Sequence, residues 1–148
     1  MSRMYGAQPE GNYEYTVMPP EGLYGTRDMP FCIDDNNTWV WKMAIRQPEF
    51  VDKKFFEAIK ESIKKKKPGP DLDAAYLFES EEGPSVQMLH TGSYGSVGES
   101  VGKIMEYIEE KEYAVNGPYH EIYLSDPNRI EEDKLKTIIG FPVVPKSS

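Results

Sequence analysis

Glu121 sits between two phenols, in the run Tyr119, His120, Glu121, Ile122, Tyr123, Leu124. Side chains alternate along an extended strand, so Tyr119, Glu121 and Tyr123 share one face while His120, Ile122 and Leu124 take the other. With Ile122 and Leu124 turned toward covering helices, Glu121 is expected on the free side of the sheet. A carboxylate among aromatic rings is poorly solvated, which raises its pKa and strengthens its pull on protons and cations. Such an environment makes a base that works near neutral pH. The alternative is a wet sheet face that Glu121 merely solubilises, the commoner fate of an isolated strand glutamate.

Rings that could flank this carboxylate are plentiful, since 12% of residues are aromatic, including 10 Tyr, 6 Phe and 2 Trp. Alternation over residues 38–45 puts Trp39, Trp41, Met43 and Ile45 on one face. Two tryptophans on one face serve either as core or as a wall that stacks flat, apolar or cationic molecules. Tyr15, Tyr119, Met88 and His90 join Trp39 and Trp41 as candidate ligand-lining residues, with Glu121 and Tyr123 as the candidate catalytic pair. His90 shares a face with Val86 and Met88 and also reads as a hydrogen-bonded structural imidazole, because no nucleophile context surrounds it. Tyr94, at a helix start, fits a cap or a pocket rim. The Gly92–Gly95 stretch before that helix lacks the glycine-lysine signature of a phosphate loop. Cys32 lies beside Asp34 and Asp35, which oppose thiolate formation.

Composition narrows the classes. The 148 residues suit one domain, with residues 1–11 loose and residues 12–145 folded. Seventeen Lys and Arg against 25 Asp and Glu give a net charge of −8, which disfavours nucleic acid and acidic lipid as partners. The single cysteine and the scattered His90 and His120 offer neither a disulfide nor metal-ligand spacing, so no metal and no cofactor are expected. No stretch approaches a membrane span and the first residues form no apolar signal core, so a cytoplasmic protein is expected.

The elements that must position these residues are read from punctuation and period. Residues 13–17 alternate as a strand that Pro19 and Pro20 end, and residues 21–37 read as a long loop with an extended portion around Leu23 and Tyr24. After the strand over 38–45, Phe55, Phe56, Ile59 and Ile63 recur at helical spacing, with Asp52 as N-cap and Lys64–Lys67 in the last turn. That lysine run is read as a solvated helix end rather than a nucleic-acid patch. Residues 74–79 and 86–91 read as strands joined by a hairpin through residues 80–84. Ser96 and Glu99 have capping-box spacing ahead of a second helix striped by Val97, Val101, Ile104, Met105 and Ile108. Gly98 and Gly102 in that helix imply close packing on the sheet. Strands over 119–124 and 137–143 complete an α+β fold, an antiparallel sheet with two helices packed on one face.

Three segments together, WVWKMAIRQP at 39–48, VQMLHTGSY at 86–94 and HEIYLSDP at 120–127, resemble the GyrI-like small-molecule-binding domain family in its stand-alone subgroup, over residues 13–143. The resemblance implies two strand–helix–strand–strand (SHS2) modules related by a pseudo-two-fold axis with a ligand groove between them. Relatives include effector domains of multidrug-responsive regulators, gyrase-inhibitory proteins, and hydrolases that open the strained ring of cyclopropane-bearing DNA alkylators. The signature glutamate falls on Glu121, and Tyr123, Trp39 and Trp41 match aromatic groove positions. Relatives generally carry a further strand and helix ahead of the segment matching Tyr13, so the resemblance implies a shortened first module that either stays incomplete or has its missing wall supplied by a second chain, and a homodimer is expected. The expected partner is a flat aromatic or cationic small molecule, either hydrolysed as a strained cyclopropane-bearing xenobiotic or bound without chemistry. A gyrase-inhibitor-like interaction protein is a third reading.

Overall fold

The computed structural model of the chain describes residues 15–26, 39–69 and 71–147, with Thr26 and Trp39 given by their backbone alone. The expectations for residues 1–11, for residues 13 and 14, and for Cys32 lie outside these. The described residues form two compact units, one drawn from 1–18 and 46–81, the other from 19–45 and 82–148.

The first unit holds helix α1, Lys53–Lys66. Its start follows the expected chemistry: Asp52 is extended and its Oδ1 accepts the Phe55 amide at 2.7 Å, satisfying a donor the first turn leaves unpaired. Lys64, Lys65 and Lys66 crowd the last turn, where cations suit the helix dipole. Lys64 pairs with Asp73 at 2.7 Å on the surface. Residues 75–79, expected as most of a strand, form none, and the expected hairpin with 86–91 does not exist.

The second unit is a sheet of antiparallel strands: β1 (Pro20–Thr26), β2 (Trp39–Ile45), β3 (Ser85–Thr91), β4 (Tyr113–Val115), β5 (Tyr119–Tyr123) and β6 (Lys136–Pro145). Their order is β2-β1-β5-β6-β3, with β4 paired to the end of β6. The partner of β3 is thus β6, with Val86 opposite Phe141 and His90 opposite Thr137. The α+β class holds as expected, but the first strand is misplaced by the sequence reading. Pro19 and Pro20 do not end a strand; Pro20 begins one, at the first position, where a missing N–H costs the ladder least. Of residues 15–17, Tyr15 alone makes a strand bridge.

Helix α2, Val97–Glu110, packs on β3, β4 and β6. Val101, Ile104 and Ile108 meet Tyr119, Ile139, Phe141 and Val143 in the core. Each such side chain contributes roughly 1.5–3 kcal/mol by leaving water. Two expectations for this helix fail. Met105 is exposed rather than in the stripe. A Cβ placed on Gly98 or Gly102 would meet nothing, so neither glycine is there for close packing.

The capping box does not form either. Ser96 makes no side-chain cap; instead Ser93 caps a 3-10 turn, Tyr94–Ser96, that leads into α2. Among the described residues no helix is long and apolar enough to cross a membrane.

Candidate functional site

The face of β5 that carries Glu121 is the face α2 covers further along the sheet, not the opposite one. Tyr119 belongs to the core beneath α2, and Glu121 pairs with Ile139 of that core. The expectation that Ile122 and Leu124 face the helices is therefore reversed. Paired residues of neighbouring antiparallel strands lie side by side on one face. Glu121 is flanked by Gly22 of β1 and, beyond it, by Met43 of β2. The adjacent row runs Trp41, Tyr24, Tyr119, and the other runs Tyr123, Thr137, His90. Toward β2 the face is exposed: Trp41 keeps 60% and Met43 53% of their surface.

Glu121 is bound by the two phenols that flank it in sequence. Tyr119 donates to Oε1 at 2.7 Å and Tyr123 donates to Oε2 at 2.5 Å. A third phenol joins from β1, with the Tyr24 hydroxyl 2.5 Å from that of Tyr123. Tyr123 has one proton and places it on Glu121, so Tyr24 is the donor in this contact. The geometry depends on Gly22. A Cβ there would lie 2.5 Å from the Tyr24 ring and 2.7 Å from its hydroxyl, so the ring folds back along β1 through space that any other residue would fill.

These interactions hold the phenols as proton donors. Burial, then the Glu121 charge, pushes the Tyr119 hydroxyl far above the usual tyrosine range. Burial and hydrogen bonds to Glu121 and Tyr24 do the same for Tyr123. Ring packing continues the network: Tyr119 lies 6.0 Å from Tyr24 and 5.1 Å from Phe141, centroid to centroid. Tyr94 stands edge-on to Tyr123 at 5.7 Å and 84°.

From the other face, His120 ties the same strands together. Its Nε2 lies 2.8 Å from Glu21 on β1, and its Nδ1 lies 3.3 Å from Glu82 ahead of β3. Both ring nitrogens thus face carboxylates, a pairing that braces β1 against β5 behind Glu121.

The candidates from sequence are placed unevenly. Glu121, Tyr123, Tyr119 and Trp41 come together on one face. Trp39 begins β2, at the position opposite Thr26. Tyr15 lies in the first unit, where its hydroxyl donates to Gln47 and its ring meets Phe50 edge-on. Met88 packs against the core. His90 is a buried imidazole: Nε2 reaches the Ser93 carbonyl at 3.0 Å and Ser96 Oγ at 3.2 Å, while Nδ1 meets Ser100 Oγ at 2.8 Å. Its structural reading describes what it touches. Sequence reasoning did not count Tyr24 or Gly22 among the site residues. The alternation of Gly22 with Tyr24, two apart beside an extended stretch, is the signal that could have found them. Among the described residues no group of three His, Cys, Asp or Glu could hold a metal.

A profile of the GyrI-like small-molecule-binding domain matches residues 47–144. An uncharacterized conserved protein from Listeria innocua is 34% identical with a TM-score of 0.84, over 91% of this chain and 68% of that one. A hydrolase from Listeria innocua is 32% identical with a TM-score of 0.79, over 94% of this chain and 68% of its own. The C-terminal domain of EcmrR shares the fold at 15% identity and a TM-score of 0.51, over 87% of this chain and 71% of that one. Among proteins with curated descriptions, none matches at the same stringency. Matched over most of its length by the profile and by relatives about one-third identical, the chain belongs to the GyrI-like small-molecule-binding domain family.

Proposed function

We propose that the Trp41 face binds flat aromatic or cationic molecules over Glu121 and hydrolyses those that carry a strained cyclopropane conjugated to a dienone. The observation that carries this reading is a carboxylate held in place by two phenols beside exposed Trp41 and Met43. A carboxylate has about four lone-pair positions, and the phenols occupy one on each oxygen, so each oxygen keeps a position for a water or a cationic group. Trp41 supplies a surface on which a flat ring stacks.

In the hydrolytic reading, a water bound to Glu121 attacks the cyclopropane carbon. A carbon–oxygen bond forms, a ring carbon–carbon bond breaks, and its electron pair runs into the dienone, leaving a phenolate. Glu121 takes the proton the water loses, and solvent returns one to the phenolate oxygen. Release of ring strain and aromatisation drive the step, so positioning and general-base catalysis suffice. The hydrolase from Listeria innocua among the similar structures lends support to a hydrolytic role of some kind.

The second reading, capture without turnover, is favoured by the same hydrogen bonds, because two phenol donors fix the orientation of a carboxylate that can then hold a cation still. Mass-spectrometric turnover of a spirocyclopropyl dienone alkylator separates the two. Hydrolysis predicts a water adduct with the wild-type chain and a loss of about 10²–10⁴-fold in Glu121→Gln, with tryptophan quenching retained. Equal turnover by both proteins overturns the role of Glu121. Quenching without adduct in the wild type establishes the binding reading.

A further inference from the structure

The phenols around Glu121 differ in where their protons go. Each carries one. Tyr119 and Tyr123 place theirs on Glu121, and Tyr24 places its own on the Tyr123 oxygen. None of the three can donate to a bound molecule without releasing a partner. Tyr94 differs: its hydroxyl makes no hydrogen bond among the described residues, it keeps 43% of its surface, and its ring stands against Tyr123 at the side of this network. Partial burial and the nearby charges of Glu121 and Asp126 raise its pKa, which keeps the proton on it at neutral pH.

The turn that carries Tyr94 is fixed from beneath. His90 Nε2 faces the Ser93 carbonyl, which can only accept, so Nε2 bears the proton and Nδ1 accepts from Ser100 at 2.8 Å. Ser93 Oγ caps the turn at the Ser96 amide, and Ser96 Oγ returns to the Ser93 carbonyl at 2.9 Å. Gly92, at φ +138°, takes the backbone out of β3 by a conformation that other residues rarely adopt. His90, Ser93, Ser96 and Ser100 thus hold an uncommitted phenol beside a carboxylate whose own phenols are committed.

We propose that Tyr94 is the group that donates a hydrogen bond to an acceptor oxygen on the bound molecule, selecting flat ligands that bear a ring-conjugated carbonyl. This rests on the reading that the Trp41 face binds such ligands. In the hydrolytic case Tyr94 meets the oxygen that gains the electron pair when the cyclopropane opens, while Glu121 takes the proton of the attacking water. The hydrogen-bond donor and the base then sit on different elements, the 3-10 turn ahead of α2 and strand β5, rather than on neighbours along β5.

The test measures tryptophan quenching of the full chain by two probes of matched size, 2-acetylnaphthalene and 2-ethylnaphthalene. The wild type is expected to prefer the ketone by roughly tenfold, the size of one net hydrogen bond. Tyr94→Phe, which keeps the ring, should erase that preference and leave the hydrocarbon's affinity unchanged, and the latter also reports that the variant is folded. A ketone preference that survives in Tyr94→Phe overturns the assignment while leaving the binding face intact. Quenching of the wild type by neither probe overturns the binding face itself, and the assignment with it.

Discussion

The Tyr24 hydroxyl lies 2.5 Å from that of Tyr123, although 99 residues separate them in sequence. The contact joins β1 to the strand that bears Glu121, and it exists because Gly22 leaves room for the Tyr24 ring. Gly22→Ala places a methyl group 2.5 Å from that ring, closer than real side-chain contacts allow. The ring must swing away, breaking the bond to Tyr123, at a cost of about 1–3 kcal/mol typical of overpacking. Urea denaturation should show this loss, and Gly22→Ala combined with Tyr24→Ala should recover part of it.

Stability should fall in alkaline solution for a reason that can be located. Tyr119 holds its proton far above the ordinary tyrosine value of about 10. Between that value and its folded-state pKa the folded protein binds a proton the unfolded chain has lost, so stability declines as pH rises. The stabilising contribution is complete below pH 10 and fades above it, by about 1.4 kcal/mol per pH unit for one such group. Denaturation midpoints from pH 8 to pH 11 should trace this decline, and Tyr119→Phe should reduce its slope, with Tyr123 supplying the remainder. An equal slope in the variant would place the effect elsewhere.

Removal of the His90 imidazole should loosen the turn that bears Tyr94. His90→Ala leaves the Ser93 carbonyl and Ser100 Oγ without their buried partner, for a loss of about 1–3 kcal/mol. The ring of Tyr94 should then lose its fixed position against Tyr123, visible as averaged aromatic chemical shifts. Those shifts should stay unchanged in Asp52→Ala, whose cost of about 1 kcal/mol falls on the N-terminus of α1.

Local chemistry made part of this structure legible and hid the rest. Alternation put Tyr119, Glu121 and Tyr123 on one face, and the hydrogen bonds agree. Helical spacing and Asp52 located α1, because an N-cap is decided within a single turn. Apart from the capping box, which Ser93 replaced within one turn, what failed depended on partners distant in sequence. Strand β1 was hidden by Pro20, Gly22 and Gly25, which read as loop residues until Ile45, Met43 and Val40 stand opposite them. The face on which Glu121 lies could not be chosen from β5 alone, since it is the pairing with Ile139 that brings it to the side of α2. Residues 80–84 carry turn chemistry, yet β3 found its neighbour in β6, across half the second unit. Tyr24 was missed for the same reason, its role being set by a strand near the other end of the chain.

The insertion of β1 between β2 and β5 also orders events on the ribosome. The β1–β2 pair emerges early, and the strand that must flank it, with Glu121, follows only after α1, β3, α2 and β4 have been made. At roughly 5–20 residues per second, the Tyr24 phenol waits several seconds for Tyr123 to be made. During that interval one edge of β1 is without the strand that will adjoin it. The nascent chain therefore passes through a stage in which β1 and β2 form a half-built ribbon with one open edge, and chaperone engagement should peak there and fall when β5 closes that edge.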